Sequence, residues 1–186
     1  MNVIQMELPG VLILEPQVFG DGRGYFLETW SIARYEEAGI VGPFVQDNVA
    51  FSRKGVLRGL HLQHPRSQGK LVQVLSGEVF DVAVDVRVGS PSFGRWVGNR
   101  LSEANHRQMY IPPGLAHGYC VLSETALFSY KCTDFYNPAT EMGILWNDPQ
   151  LNIDWLIAAP VVSPKDAGYP RLAEIPADRL PRFGDV

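Results

Sequence analysis

Most of the chain alternates short apolar runs with turn residues. Between residues 78 and 88, Phe80 and Val82 fall on one face of an extended strand, and Asp81 falls on the other. The same reading predicts strands over residues 11–14, 25–30, 44–52, 56–63, 70–75, 78–88, 95–101, 108–111, 117–122 and 125–133. Short strands at this spacing indicate an antiparallel sandwich or barrel.

Helix signals are few. Ser31 is typical of a helix start, and the pattern predicts a short helix over residues 32–38 that ends at Gly39. Asp148 and Pro149 suit the start of another helical turn. We therefore expect a mainly β fold with short peripheral helices.

The last part of the chain has a different texture. Five prolines between Pro160 and Pro181 exclude long regular elements there, and the proline-rich tail begins at about residue 160. Just before it, Trp155 and its apolar neighbours predict that this segment packs back on the barrel. We expect one domain over residues 1–186.

Composition excludes several classes of protein. The 186 residues are 46% hydrophobic and 19% charged, which suits one domain with a sizeable core. The net charge of −4 disfavours nucleic acid as the main partner. No run approaches the roughly 18 apolar residues of a membrane span, and the first residues lack the pattern of a signal peptide. We expect a cytoplasmic protein in which Cys120 and Cys132 are reduced thiols.

The centre of the chain carries charge inside strands. A strand that serves only packing leaves its charges at the ends, but Arg58, His61 and Lys70 lie within the predicted strands 56–63 and 70–75. This pair of strands therefore faces a pocket. Strict alternation puts Arg58 and His61 on opposite faces. For both to enter the pocket, the strand must bend or bulge near Gly59.

A metal site is disfavoured. The turn that ends at His117 resembles the second motif of cupin barrels, in which a histidine points inward. Cupin metal sites also use a His-x-His pair with a nearby Glu, whereas here position 63 is Gln and Lys70 would repel a cation. We expect no bound metal.

Basic residues beside glycines favour a phosphorylated ligand. Arg23 lies in a loop with three glycines, and Arg58 precedes Gly59. Each could be a solvated surface residue. Together with Lys70 and Lys165, however, they favour bidentate and ionic contacts to phosphate.

Candidates for acid–base chemistry and ring stacking also occur. His61 and Tyr130 are candidates for proton transfer, although residues of these types within strands more often serve core packing. Asp166 supplies a carboxylate that could orient His61, but the sequence does not show whether the two residues are close in space. Gln46 and Asn48 share one strand face. Aromatic residues at the turn 134–138 could stack on a planar base.

Eight segments, taken in order, resemble one enzyme family. They are DGRGYF (21–26), QDN (46–48), RGLHLQ (58–63), GEVFDV (77–82), IPPGLAHG (111–118), YNP (136–138) with Glu141, ILWNDP (144–149) and SPKD (163–166). From about residue 3 to about residue 170, the chain is similar to the dTDP-4-dehydrorhamnose 3,5-epimerases of the dTDP-L-rhamnose pathway. The loop 64–69 is about one residue shorter than in many relatives, and Cys132 replaces a small or hydroxylated residue.

The resemblance implies a cupin-like jelly roll that needs neither metal nor cofactor and works as a homodimer. The implied substrate is dTDP-4-dehydro-6-deoxy-glucose. By position, His61 matches the catalytic base and Asp166 its paired carboxylate. Tyr130 matches the acid on the other face of the sugar, and Lys70 the group near the ketone oxygen.

The resemblance also implies a set of substrate-binding residues. Tyr136 matches the aromatic that stacks on thymine, and the Arg23 loop matches one that reaches the neighbouring subunit. The remaining positions are Phe26, Glu28, Gln46, Asp47, Asn48, Arg58, His117, Glu141 and Lys165. Two alternatives stay open: an epimerase that inverts only C3 of another dTDP-deoxysugar, and a non-catalytic cupin that binds sugar nucleotides.

Overall fold

A computed structural model describes residues 1–40 and 42–185. Its strands are β1 (Asn2–Gln5), β2 (Leu12–Glu15), β3 (Val18–Asp21), β4 (Gly24–Leu27), β5 (Gln46–Arg53), β6 (Val56–Gln63), β7 (Lys70–Ser76), β8 (Glu78–Asp85), β9 (Trp96–Ser102), β10 (Gln108–Ile111), β11 (Leu115–Val121), β12 (Thr125–Cys132), β13 (Glu141–Gly143) and β14 (Val161–Val162). The helices are α1 (Ile32–Glu37), α2 (Pro164–Ala167) and two 3-10 turns, Leu172–Glu174 and Ala177–Arg179.

Two sheets face each other across the core. The first has the order β1-β2-β10-β7-β12-β5, and the second has the order β13-β6-β11-β8-β9. Neighbours within these two paths are antiparallel, whereas β14 adds to β6 in parallel, and β3 with β4 forms a separate hairpin. The predicted antiparallel arrangement is confirmed. The hairpin strand β3, together with β1, β13 and β14, was missing from the prediction because each is short and lacks a clear alternation.

The alternation in β8 separates two cores as predicted. Val79 and Ala83 belong to the cluster between the two sheets, whereas Phe80, Val82 and Val84 pack on the outer side of the second sheet. Strand β8 ends at Asp85, earlier than the predicted 88, because the chain turns there. The alternating pattern therefore assigned the correct face but extended the strand by three residues.

The tail covers the outer face of the second sheet. Trp155 is buried there and its neighbours Ile153 and Ile157 pack against the same cluster, as predicted, whereas Leu156 is exposed. Leu172 and Leu180 of the proline-rich tail are also buried in this cluster.

The predicted helical turn begins at Asp148, whose carbonyl accepts a hydrogen bond from the backbone N–H of Asn152 at 2.9 Å, and no longer helix follows. The Asp148 carboxylate accepts hydrogen bonds from the backbone N–H of Gln150 (2.9 Å) and of Leu172 (2.8 Å) and so ties this turn to the tail.

The two α-helices begin after serine residues. Ser31 precedes α1 as predicted, although its hydroxyl makes no capping hydrogen bond. Ser163 caps α2, because its hydroxyl oxygen accepts a hydrogen bond from the backbone N–H of Asp166 at 3.0 Å. This cap fixes the start of the short helix that carries Asp166.

A bulge in β6 resolves the conflict between Arg58 and His61. His61 is opposite His117 of β11, and Arg58 is opposite Tyr119, so three steps on β6 match two on β11. The extra residue falls at Gly59, whose φ is +135°. A Cβ there would lie 2.6 Å from the Cα of Gly118. The predicted bulge is confirmed, and Arg58 and His61 share one face.

Cys120 and Cys132 are buried free thiols. Across residues 1–40 and 42–185, no helix combines the length and the apolar character that crossing a membrane requires.

Candidate active site

A cavity of about 220 Å³ opens between the two sheets. Strands β5, β7 and β12 form one side of it, and β6 and β13 form the other. Among the residues predicted for the site, those that line this cavity are Gln46, Asn48, His61, Lys70, Tyr130, Tyr136 and Glu141.

His61 is paired with Asp166, across 105 residues of sequence. The imidazole Nε2 lies 2.8 Å from Oδ1 of Asp166, and the backbone N–H of Gly59 donates to Oδ2 at 3.3 Å. Burial alone raises the pKa of Asp166, but His61, Gly59 and Ser163 together outweigh burial and lower it. An ionised carboxylate only accepts hydrogen bonds, so Nε2 carries the proton and Nδ1 is free to accept one.

Lys70 and Tyr130 approach the cavity from the first sheet. Lys70 is opposite Cys132, and Tyr130 is opposite Val72, so the lysine and the phenol lie on one face of β7 and β12. Burial raises the pKa of Tyr130 to about 12. The phenol therefore keeps its proton at neutral pH and can act as an acid.

The environment of Lys70 has two opposing effects. Burial lowers the pKa of its ammonium group, and the acidic groups of Cys132, Asp81 and Glu141 oppose that change. Lys70 lies at the wall of an enclosed site, where the charge of its ammonium form acts strongly on a developing anion.

A second His–Asp pair lies deeper. Nε2 of His117 is 2.9 Å from Oδ2 of Asp81, and both residues are buried. Burial lowers the pKa of His117 and raises that of Asp81. The imidazole stacks near Phe128, with 6.2 Å between ring centroids. The structure therefore places His117, predicted as a ligand-binding residue, behind the cavity wall.

The mouth of the cavity carries an exposed aromatic residue. Tyr136 is 51% exposed, and its hydroxyl donates to Glu141 at 2.9 Å. Lys165 forms an ion pair with the same carboxylate. The amide oxygen of Gln46 accepts the backbone N–H of Tyr136 at 2.8 Å, which fixes the loop. This end of the site can hold a planar ring near a cation.

The predicted cationic residue Arg58 lies further along β6. Its side chain is exposed, and its Nε donates to the hydroxyl of Ser52 at 3.1 Å. The residue shares a face with His61 but does not line the cavity itself. It is therefore available to a ligand that extends beyond the cavity.

Several predicted ligand residues lie away from the cavity of their own chain. Asp47 is on the outer face of β5, where it pairs with Lys131 at 2.8 Å, since strand alternation separates it from Gln46 and Asn48. Arg23 and Phe26 are exposed on the β3–β4 hairpin, and Glu28, just beyond it, pairs with Arg34.

Three residues with evident roles were missing from the predicted site. Gln63 is buried, donates to the carbonyl of Phe135 and accepts the N–H of Asn137, so it holds the Tyr136 loop. Asp81 is a carboxylate on the inner face of β8, and its alternation with Phe80 was a usable signal. Tyr169 contacts His61, and no sequence pattern pointed to it.

Metal coordination needs several convergent ligands. Within the described residues, no group of three or more His, Cys, Asp or Glu side chains is arranged to hold a metal ion.

Known proteins with similar sequences belong to one family. Residues 5–174 match the family of dTDP-4-dehydrorhamnose 3,5-epimerases. Such an epimerase from Shigella flexneri is 56% identical over 168 residues, which cover 89% of this chain and 93% of the relative. Another, from Neisseria gonorrhoeae, is 52% identical over all 186 residues, although the chain spans only 56% of that relative's length.

Solved structures agree with this assignment. The dTDP-6-deoxy-D-glucose-3,5-epimerase of Legionella pneumophila, crystallised with dTDP-4-keto-L-rhamnose, has a TM-score of 0.95 and 54% identity over 98% of both chains. A 3'-monoepimerase from Streptomyces bikiniensis has a TM-score of 0.88 and 34% identity over 95% of this chain and 91% of its own. The predicted cupin-like fold is confirmed. The chain belongs to the dTDP-4-dehydrorhamnose 3,5-epimerase family.

Proposed function

We propose that the protein is an isomerase that converts dTDP-4-dehydro-6-deoxy-D-glucose to dTDP-4-dehydro-L-rhamnose, in dTDP-L-rhamnose biosynthesis. Family membership supports the substrate and the reaction. The main structural support for this reaction is a cavity that is lined by His61 from one sheet and by Tyr130 and Lys70 from the other. A base, an acid and a cation in one cavity suit enolisation next to the C4 ketone better than binding alone.

His61 is the proposed base. A proton on the carbon next to a ketone is acidic only when the resulting enolate is stabilised. His61 Nδ1 accepts that proton, and the C–H electron pair moves into the enolate. Asp166 holds the tautomer through Nε2 and stabilises the imidazolium, as the third member does in a catalytic triad.

Lys70 and Tyr130 complete the exchange. The ammonium of Lys70 stabilises the enolate oxygen, a type of interaction worth about 3–4 kcal/mol where single donors have been removed. Tyr130 returns a proton to the opposite face of the carbon. His61 then releases its proton to solvent and Tyr130 takes one up, so each inversion adds one proton and removes one. Repetition at C3 and C5 inverts both centres without a cofactor.

The nucleotide is proposed to bind at the mouth of the cavity. Tyr136 stacks on thymine, while Gln46, Asn48 and Glu141 supply hydrogen-bonding groups around it. Arg58 and Lys165 are the cations available to the pyrophosphate. The exposure of Tyr136 and Arg58 supports this assignment, since both can be reached by a ligand.

A homodimer is proposed as the working form. The β3–β4 hairpin exposes Phe19 (55%), Tyr25 (60%) and Phe26 (69%), and the outer face of β5 exposes Val49 (62%) and Phe51 (61%). Exposed apolar surface of this kind is typical of an interface.

The site residues on and beside the hairpin fit the same arrangement. Arg23, Phe26 and Glu28 match ligand-binding positions but lie outside the cavity of their own chain, so we assign them to the neighbour's site. Asp47, on the outer face of β5, is proposed to act through that interface. The free thiols support a cytoplasmic location.

The reaction is tested with dTDP-4-dehydro-6-deoxy-D-glucose in deuterated water, with the product analysed by NMR. We expect inversion and deuterium at both C3 and C5. Inversion at C3 alone would assign a mono-epimerase, the class of the Streptomyces bikiniensis relative. Binding without any exchange would indicate a non-catalytic sugar-nucleotide protein.

A further inference from the structure

Tyr169 packs against the proposed base from outside the cavity. It lies three residues after Asp166, just beyond α2. The ring centroids of Tyr169 and His61 are 5.8 Å apart, and their planes meet at 75°, an edge-to-face contact. Tyr169 does not line the cavity, so a direct contact with the reacting sugar is not its role.

Gly143 makes room for this contact. Gly143 of β13 is opposite His61 of β6. A Cβ at position 143 would lie 2.3 Å from Cε2 of the Tyr169 ring. The Tyr169 ring thus fills the space that a side chain opposite His61 would occupy. Glycine is required at position 143 by the close approach of this ring.

The hydroxyl of Tyr169 contributes little to the contact. It is buried, it makes no well-aligned hydrogen bond among the described residues, and its polar neighbour is Lys165 rather than His61. The aromatic ring, rather than the hydroxyl, therefore accounts for the role of this residue.

We propose that Tyr169 is a positioning residue for His61, an inference that rests on the proposed function of His61 as the base. Among residues 1–40 and 42–185, the His61 side chain has a hydrogen bond at Nε2 only, and it is 30% exposed. One hydrogen bond leaves the imidazole free to tilt about the Nε2 contact. The Tyr169 ring removes that freedom, so that Nε2 stays on Asp166 and Nδ1 stays available to the substrate.

Three variants test this proposal: Tyr169→Phe, Tyr169→Leu and Gly143→Ala. The first keeps the ring, the second removes it, and the third pushes it away from His61. The chain has four histidines, so nitrogen-15 NMR can report the His61 tautomer, with His61→Gln to assign the signal. This measurement uses the free protein and does not depend on the reaction.

We expect the Phe variant to match the wild type in tautomer and in kcat. In the Leu and Ala variants, the protonated-Nε2 tautomer of His61 loses its dominance. Their kcat for deuterium exchange falls roughly 10- to 100-fold, the scale expected of a displaced catalytic group. Their KM changes less than about twofold, because Tyr169 lies outside the cavity.

The double variant Tyr169→Leu with Gly143→Ala gives an independent test. The three atoms nearest to the new methyl group all belong to the Tyr169 ring, so without that ring the double variant should be no worse than Tyr169→Leu alone. Additive losses would overturn the proposal. An unchanged His61 tautomer in both Tyr169→Leu and Gly143→Ala would also overturn it, whatever the activity of these variants. If one variant fails to fold, the tautomer in the other decides. A wild type without exchange activity would refute the proposed function, while the tautomer measurement would still test the positioning.

Discussion

His61 and His117 are opposite one another on β6 and β11, and each contacts its own aspartate. The His61 side chain is 30% exposed and meets Asp166 from the tail, whereas that of His117 is 8% exposed and meets Asp81 from β8. Two similar pairs therefore have different access to a ligand. The partly exposed His61 can exchange protons with a substrate, and the buried pair of His117 and Asp81 lies behind the cavity wall.

The first prediction concerns Asp166 and acid. Because the folded protein lowers the pKa of this carboxyl below its ordinary 3.8, it stabilises the fold above about pH 4, and that contribution is lost as the pH falls through the folded pKa. We expect Asp166→Asn to unfold more easily at pH 7, by about 1–3 kcal/mol.

Denaturant unfolding between about pH 3 and pH 7 measures the change in unfolding free energy. The difference in unfolding free energy between wild type and Asp166→Asn should become smaller toward low pH. Asp178→Asn, an exposed aspartate on the tail, serves as the control and is measured over the same pH range. A difference in unfolding free energy that becomes larger in acid would contradict a lowered pKa for Asp166.

The second prediction concerns Tyr130 and the final protonation. Tyr130→Phe keeps the ring and removes the acidic proton, whose pKa of about 12 leaves it on the oxygen at neutral pH. Inversion should fall by roughly 10²- to 10⁴-fold, while proton removal by His61 falls less. Product stereochemistry and solvent exchange, followed in one NMR experiment, separate the two. Equal losses would assign Tyr130 to binding instead.

The third prediction concerns Lys70 at alkaline pH. Burial lowers the pKa of Lys70 below its ordinary 10.5, and the charge of Asp81 opposes that change. The rate should therefore decline with rising pH before an ordinary lysine would lose its proton. Asp81→Asn removes a negative charge that favours the ammonium, so its alkaline decline should begin at lower pH.

The pH dependence of kcat measures this effect, with Asp178→Asn, an exposed aspartate on the tail, as the control. Glu141→Gln should shift the decline in the same direction, since Glu141 acts on Lys70 with the same sign. A shift to higher pH in Asp81→Asn would contradict the role given to Asp81.

The fourth prediction concerns the hairpin and the dimer. If Arg23 serves the neighbour's cavity, a mixture of Arg23→Ala and His61→Gln proteins forms some dimers with one intact site. Co-refolded or co-expressed mixtures should regain up to about half of the wild-type activity per mixed dimer, an estimate that follows from the symmetry of a two-site dimer. Activity no higher than the sum of the separate variants would refute the shared site, and analytical ultracentrifugation checks that dimers form.

Local patterns explain how much of the structure the sequence could predict. Alternation assigned Phe80 and Asp81 to opposite faces of β8, and Gly59 indicated the bulge that joins Arg58 and His61 on one face. Each of these inferences depends only on residues that are adjacent along the chain, so the sequence was sufficient to make it. Alternation also separates Asp47 from Gln46 and Asn48, and the structure follows it.

Contacts between distant segments were beyond that reasoning. Asp166 reaches His61 because Val161 and Val162 of β14 add in parallel to Val56 and Leu57 of β6. A two-residue strand carries no pattern that could specify this pairing. Tyr169 was missed for the same reason, since its contact depends on where the tail lies.

The role of His61 as the base is tested by the rate of deuterium uptake at C3 and C5 of dTDP-4-dehydro-6-deoxy-D-glucose, compared between wild type and His61→Gln. His106→Gln, a histidine outside the cavity, is the control. We predict that uptake at both carbons is lost in His61→Gln and retained in His106→Gln. Normal uptake at either carbon in His61→Gln would show that another group removes that proton.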